Sequence, residues 1–263
     1  MDSGKPSLGS FLLTLRNDPS EVARKTRTIY ETLLRTSGHV RTGNFSRVAD
    51  TDVARLFELY DSEFFAGRLR DTLQSKGQPI RFRLAPRMTS AGGKTFRWRK
   101  VAVHQGRRQT SLEYEIAISS ILLYQSFRDV QRPVVINGLL CADRLEAMQR
   151  IMEHELIHLG EFLAWNDSNC SGPLFKRLVQ AIFAHNGVTH NLVTQHERAV
   201  KRFNLRVGDV VRFVHEDQQF TGRINRITRR ATVLVEHPQG DLYTDGKRYA
   251  KFYVPLAVLQ KVS

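Results

Sequence analysis

Ala142-Asp-Arg-Leu-Glu-Ala-Met-Gln-Arg-Ile-Met-Glu-His-Glu-Leu-Ile-His-Leu-Gly-Glu-Phe-Leu-Ala-Trp165 is the stretch on which the reading of this chain turns. Leu145, Met148, Ile151, Met152, Leu156 and Leu159 recur at helical spacing until Asn166 and Asp167 break the pattern, which predicts one long amphipathic helix. Inside it stands His154-Glu155-Leu156-Ile157-His158. Residues four apart share a helical face, so both imidazoles can meet one Zn2+, and Glu155 lies beside them where it can take a proton from water. The apolar side chains of Ile151, Leu156, Leu159, Phe162 and Leu163 bury the rest of the helix and leave the histidines to a cleft. A zinc ion so held supports hydrolysis of a peptide bond or a related amide.

A catalytic zinc site needs a third protein ligand and one open position. Glu161 is at i+7 from His154 on the same face, although three successive turns of one straight helix reach a tetrahedron poorly. Asp167 lies in the following turn, Cys170 stands twelve residues after His158 at the entry to a further helix that begins near Pro173, and His185 and His190 lie at that helix's far end. A helix–turn–helix return favours Cys170, since thiolate is a natural zinc ligand.

Upstream, Pro19 to about Arg35 reads as a helix with a basic load (Arg24, Lys25, Arg27, Arg35), and Gly38–Asn44 reads as a linker. A second helix runs from about Asp52 to Gly67 on the stripe Val53, Leu56, Phe57, Tyr60, Phe64. Short strands of period two are expected at 80–84, 95–98 and 114–118. Arg97, Arg99 and Lys100 fall on what is read as a hairpin tip, and they are candidates for contact with nucleic acid. Beyond Leu205 the segments 207–214, 220–227, 231–235 and 249–254, with a last apolar stretch to Val262, suggest a small closed barrel of SH3-like type. Arg223, Arg226, Arg229 and Arg230 on that module, interleaved with aromatic residues, are further nucleic-acid candidates.

The 263 residues allow two modest domains, and Lys plus Arg exceed Asp plus Glu by 14, a positive field that favours polyanions and DNA first among them. Two cysteines make no disulfide framework, which points to a reducing compartment. The first ten residues lack an apolar core and no run approaches the ~18 apolar residues of a membrane span. A cytoplasmic protein with no membrane partner is expected.

LYDSEFFAGRL at 59–69, LAPRMTSAGGKTFRW at 84–98, YEIAISSILL at 114–123, HELIHL at 154–159 and SGPLFKRL at 171–178 resemble the SprT-like metalloprotease family in order and spacing, over about residues 50–195. The resemblance implies a minimal zincin fold, a zinc peptidase activity and, as in several members, action on proteins crosslinked to DNA. It makes His154 and His158 the helix ligands and Glu155 the catalytic base. Where the family has a histidine at the head of the next helix, this chain has Ser171, with Cys170 immediately before it. The expectation is therefore an α+β chain in three parts: a basic helical extension at 1–45, a SprT-like zincin domain at 46–200 and an SH3-like β-barrel at 205–263. Its function is zinc-dependent cleavage of DNA-associated or DNA-crosslinked proteins, with one Zn2+ on His154, His158 and Cys170. The alternative is a zinc-stabilised nucleic-acid-binding protein without turnover.

Overall fold

The computed structural model describes residues 6–104, 107–228 and 230–262, with the backbone alone at 102–104 and 107–109. The chain is mixed α+β and divides into two compact units, the first running to Phe127 and resuming at Arg132–Leu192, the second made of Arg128–Gln131 and the residues from Val193 on. In the first unit α1 (Leu8–Thr14), α2 (Pro19–Thr36), α3 (Asp50–Phe65) and α4 (Arg68–Ser75) precede β1 (Ile80–Leu84), β2 (Gly93–His104) and β3 (Arg107–Ile118). There follow α5 (Ser120–Gln125), the short β4 (Val134–Ile136) and β5 (Leu139–Cys141), α6 (Arg144–Trp165) and α7 (Pro173–Phe183). The sheet has the order β1-β3-β2, with β1 parallel to β3 and β2 antiparallel to it, so β1 and β2 are its edges.

The central element is α6, the long helix expected from the apolar spacing. Asp143 caps it by accepting from the Glu146 amide at 2.9 Å, which satisfies one orphan amide of the first turn, and Glu146 reaches back to accept from the Ala142 amide before the cap at 2.8 Å. Asn166 ends it in the left-handed conformation, with φ 59°. Its 22 residues span about 33 Å, and 14 of them are buried, because most other elements of the unit pack on it.

The described part of the expected 1–45 extension, residues 6–45, packs into the first unit's core, and residues 1–5 lie outside the described residues. Leu8 and Leu12 of α1, Val22, Ile29 and Leu33 of α2, and Val40 and Phe45 beyond it are buried in one cluster with Leu156, Leu159 and Phe175. Arg24, Arg27 and Arg35 occupy the outer face of α2, Lys25 lies over the Phe64 ring at the flank, and the stripe Val22, Thr26, Ile29, Leu33 faces the core. The strands β2 and β3 are also longer than the period-two runs suggested, and Arg97, Arg99 and Lys100 sit within β2 rather than at a turn.

The second unit comprises α8 (Gln195–Phe203), β6 (Val210–His215), β7 (Gln218–Ile227), β8 (Ala231–Leu242), β9 (Arg248–Val254), a 3-10 turn at Leu256–Val258 and β10 (Gln260–Lys261). They make a five-stranded antiparallel sheet in the order β10-β6-β7-β8-β9. The closed barrel is not observed: among the described residues no pairing joins β9 to β10, because β10 offers only two residues and these pair with β6. β7 bends sharply, pairing with β6 through Gln218–Arg223 and with β8 through Arg223–Ile227, with a bulge between Ile224 and Arg226. Gly222 permits the bend, since a Cβ there would run into the Leu234 carbonyl oxygen. Phe213, Phe220 and Phe252 pack on one another in this unit's core, so these aromatic side chains serve packing.

Candidate metal centre

A cleft of about 590 Å3 opens over the middle of α6. One wall is the Ser90–Thr95 segment that enters β2, another is the Val188–His190 stretch after α7, and His154, Glu155, His158 and Cys170 line its floor. His154 Nε2 and His158 Nε2 lie 3.2 Å apart. Two nitrogens bound to one zinc at about 2.0–2.1 Å with tetrahedral angles would stand about 3.3 Å apart, so the pair is already at the separation a shared ion needs. Cys170 Sγ completes the group: the three donor atoms lie within 4.8 Å of one another. The turn after Asn166 brings the thiol back to the helix it follows, which is the return that the spacing suggested. The residues present therefore fit a zinc ion, with two imidazoles and one thiolate.

Packing orients these ligands. Both imidazoles lie against the ring of Phe175, at centroid distances of 4.8 and 4.5 Å, on the α7 that Pro173 starts. Ser168 Oγ donates to Glu161 Oε2 at 2.6 Å and is itself 2.6 Å from His158 Nδ1. With its one proton directed to the carboxylate, the hydroxyl can only accept from the ring, so His158 carries its proton on Nδ1 and turns the lone pair of Nε2 toward His154. Burial pushes the His154 imidazole down to about 3 and that of His158 to about 4, so both rings are neutral at pH 7 and have free lone pairs.

Glu155 is buried beside them, and burial pushes its carboxyl up to about 7 against the opposing effect of the Thr95 hydroxyl, which donates to Oε2 at 2.8 Å. Gly93 makes this approach possible. A Cβ there would sit 2.6 Å from Ile151 Cγ2 and 2.8 Å from Glu155 Oε1.

The other candidates for the third ligand lie elsewhere. Glu161 is buried but engaged through Ser168, one step behind His158. His185 is on the opposite side of α6, its Nε2 2.6 Å from Glu153 Oε2 within a buried group that includes Tyr60 and Arg150. His190 lines the cleft wall and accepts the Leu192 amide on Nδ1 at 3.3 Å, outside the three-donor cluster. Asp167 is exposed in the turn. Cys141, the other thiol, is free and buried, and burial pushes it up to about 12. Sequence reasoning missed Ser168, Thr95 and Phe175, whose roles come from tertiary contacts.

No protein-family model, curated protein or solved structure matches the chain.

The basic residues singled out from sequence scatter. Arg97 is used structurally: its guanidinium donates to the Asn166 carbonyl at 2.7 Å and to Asn166 Oδ1 at 2.6 Å, and lies over the Phe162 ring, tying β2 to the end of α6. Arg99 is exposed, and Lys100 pairs with Glu113 at 2.6 Å. Arg223, Arg226 and Arg230 are exposed on the second unit, and Arg229 lies outside the described residues. No helix among the described residues is long and apolar enough to cross a membrane.

Proposed function

We propose that the chain is a zinc-dependent metallopeptidase, with a zincin-like first unit of SprT-like type and an SH3-like second unit, acting on proteins associated with or crosslinked to DNA. The observation that carries this reading is the convergence of His154 Nε2, His158 Nε2 and Cys170 Sγ on the floor of an open cleft, with Glu155 one residue from the first ligand. Three protein donors are the number a catalytic zinc uses, leaving a position for water or substrate.

His154, His158 and Cys170 would hold the ion. When bound, zinc supplies Lewis acidity, easing deprotonation of water near neutral pH and polarising a carbonyl. Glu155 would take a proton from water as its oxygen adds to the scissile carbonyl carbon, and return it to the amine nitrogen as the C–N bond breaks. Thr95 Oγ1 fixes one carboxylate oxygen, and Gly93 lets β2 pass close enough to Glu155 for that bond to form. The basic balance of the chain supports a DNA-bound substrate.

Glu155→Gln keeps shape and zinc but removes the base, and cleavage of a DNA-bound basic protein is expected to fall by about 100-fold or more. Cys170→Ala is expected to lose most of its zinc by elemental analysis. Wild-type cleavage rates in Glu155→Gln overturn the mechanism. A protein that binds zinc and DNA yet cleaves nothing supports the alternative, a zinc-stabilised nucleic-acid-binding protein.

A further inference from the structure

One face of the first unit's three-stranded sheet exposes Arg81, Arg83, Lys94, Trp98 and Lys100 among the described residues. Along β1, Ile80, Phe82 and Leu84 turn inward and Arg81 and Arg83 turn out. The register carries this alternation across the sheet. Arg81 pairs with Glu115, Glu115 with Phe96, and Glu113 with Trp98, so Arg81, Glu113, Glu115, Phe96 and Trp98 share the outer face, as do Lys94 and Lys100 two residues to either side. On it the Phe96 and Trp98 rings are stacked with centroids 5.3 Å apart and planes 4° from parallel, and the Lys94 ammonium lies 5.0 Å from the Phe96 centroid. Trp98 is 42% exposed, unusual for the largest apolar side chain.

The face also has a sign. Glu113 and Glu115 lie in the middle strand with side chains only 16% and 13% exposed, while the cations paired to them, Arg81, Lys100 and Arg83, are 66%, 56% and 45% exposed. The carboxylates therefore sit beneath the cations that neutralise them, and solvent meets ammonium and guanidinium groups around an aromatic pair. This differs from a plain cross-strand ion ladder, which would not need two parallel stacked rings at its edge.

From this juxtaposition we propose that the outer face of β1-β3-β2 is a binding surface for single-stranded nucleic acid, with bases stacking on Trp98 and Phe96 and phosphates tracked by Lys94, Lys100 and Arg81. Stacking on an exposed ring requires bases free of a duplex, so the geometry selects single strands, and the neutral face of every base makes the contact tolerant of sequence. Lys94 also lines the cleft over α6, so a strand on this face runs past the mouth of that cleft. The inference rests on the proposed nucleic-acid partner and adds where on the first unit it binds and which form it takes.

The chain has two tryptophans, so Trp165→Phe leaves Trp98 as sole reporter. Titration of that full-length variant with an unlabelled 20-nucleotide oligo-dT is expected to quench its fluorescence, and labelled oligo-dT to bind wild type more tightly than a duplex of equal length. Trp98→Ala is expected to weaken oligo-dT binding about tenfold or more with an unchanged salt dependence, whereas Trp98→Phe, which keeps a ring, loses less. Lys94→Ala with Lys100→Ala is expected to lower the salt slope by about one to two. Circular dichroism of each variant confirms folding. Wild type that binds no nucleic acid overturns both this surface and the nucleic-acid partner. Binding that survives Trp98→Ala unchanged, a silent Trp98, equal affinity for duplex, or equal affinity for poly-glutamate overturns the surface alone.

Discussion

Ser168 shows how much of a metal site can depend on a residue that is not a ligand. Its hydroxyl stands between the Glu161 carboxylate and His158 Nδ1, at 2.6 Å from each, and so fixes which ring nitrogen of His158 is free. Ser168→Ala removes that link and leaves the buried Glu161 carboxylate with the Asn169 amide but without its side-chain donor. Zinc affinity, measured by competition with a chromophoric chelator, is expected to fall 10- to 100-fold, and Ser168→Thr to recover most of it. Equal affinity in Ser168→Ala would show that Phe175 packing alone orients the ring. At this scale the sequence was legible in part. His154, Glu155 and His158 announce themselves because the i, i+4 pattern is intrinsic to a helix, and Cys170 followed from the need for the chain to return. Ser168 lies in Asn-Asp-Ser-Asn, ordinary turn composition, and only the left-handed Asn166 that redirects the chain gives it a role.

The elements around α6 are held at their ends as well as by their apolar faces. Asp143, which caps α6, also accepts the Tyr30 hydroxyl of α2 at 2.7 Å, and Gly43 lies so close that a Cβ would collide with both groups. Gly43→Ala must therefore separate the cap from Tyr30 or move the 38–44 segment. A loss of about 1–3 kcal/mol is expected from urea unfolding, while Gly38→Ala in the same segment, with nothing near its Cβ, leaves stability close to wild type. If the two substitutions are equivalent, the junction is looser than its geometry. Here the sequence misled where composition and packing diverge. The segment 1–18 lacks visible periodicity, yet α1 places Leu8 and Leu12 in the core through two apolar contacts in seven residues, too short a run for a periodic signal. The basic residues of α2 suggested an appendage because charge is conspicuous, whereas its four-residue inner stripe is what packs. The strands were underestimated because Arg97, Arg99 and Lys100 interrupt the apolar run, although alternation places them correctly on the two faces of an edge strand.

For the molecule as a whole, the two units have separate cores: one built around Leu156, Leu159 and Phe175, the other around Val211, Phe213, Ile224 and Val233. Within the second unit the short Arg128–Gln131 segment is anchored by Arg198, whose guanidinium grips both oxygens of Asp129 at 2.5–3.0 Å and holds that carboxyl below the usual carboxylate range. Every proposed zinc ligand lies in the first unit. A ligand that binds only the folded form stabilises the unit it binds, by about 2.7 kcal/mol at a free concentration 100 times its Kd. For a unit of this size each kcal/mol moves the midpoint by about 2–4 °C. Calorimetry of the zinc-loaded chain is therefore expected to resolve two transitions, and chelation to lower one of them by about 5–10 °C while the other stays in place. Cys170→Ala should behave like the chelated protein, with no further response to chelator. If chelation moves both transitions together, the two cores unfold as one cooperative body, and if it moves neither in a chain that elemental analysis shows to hold zinc, the ion sits outside the His154, His158, Cys170 cluster.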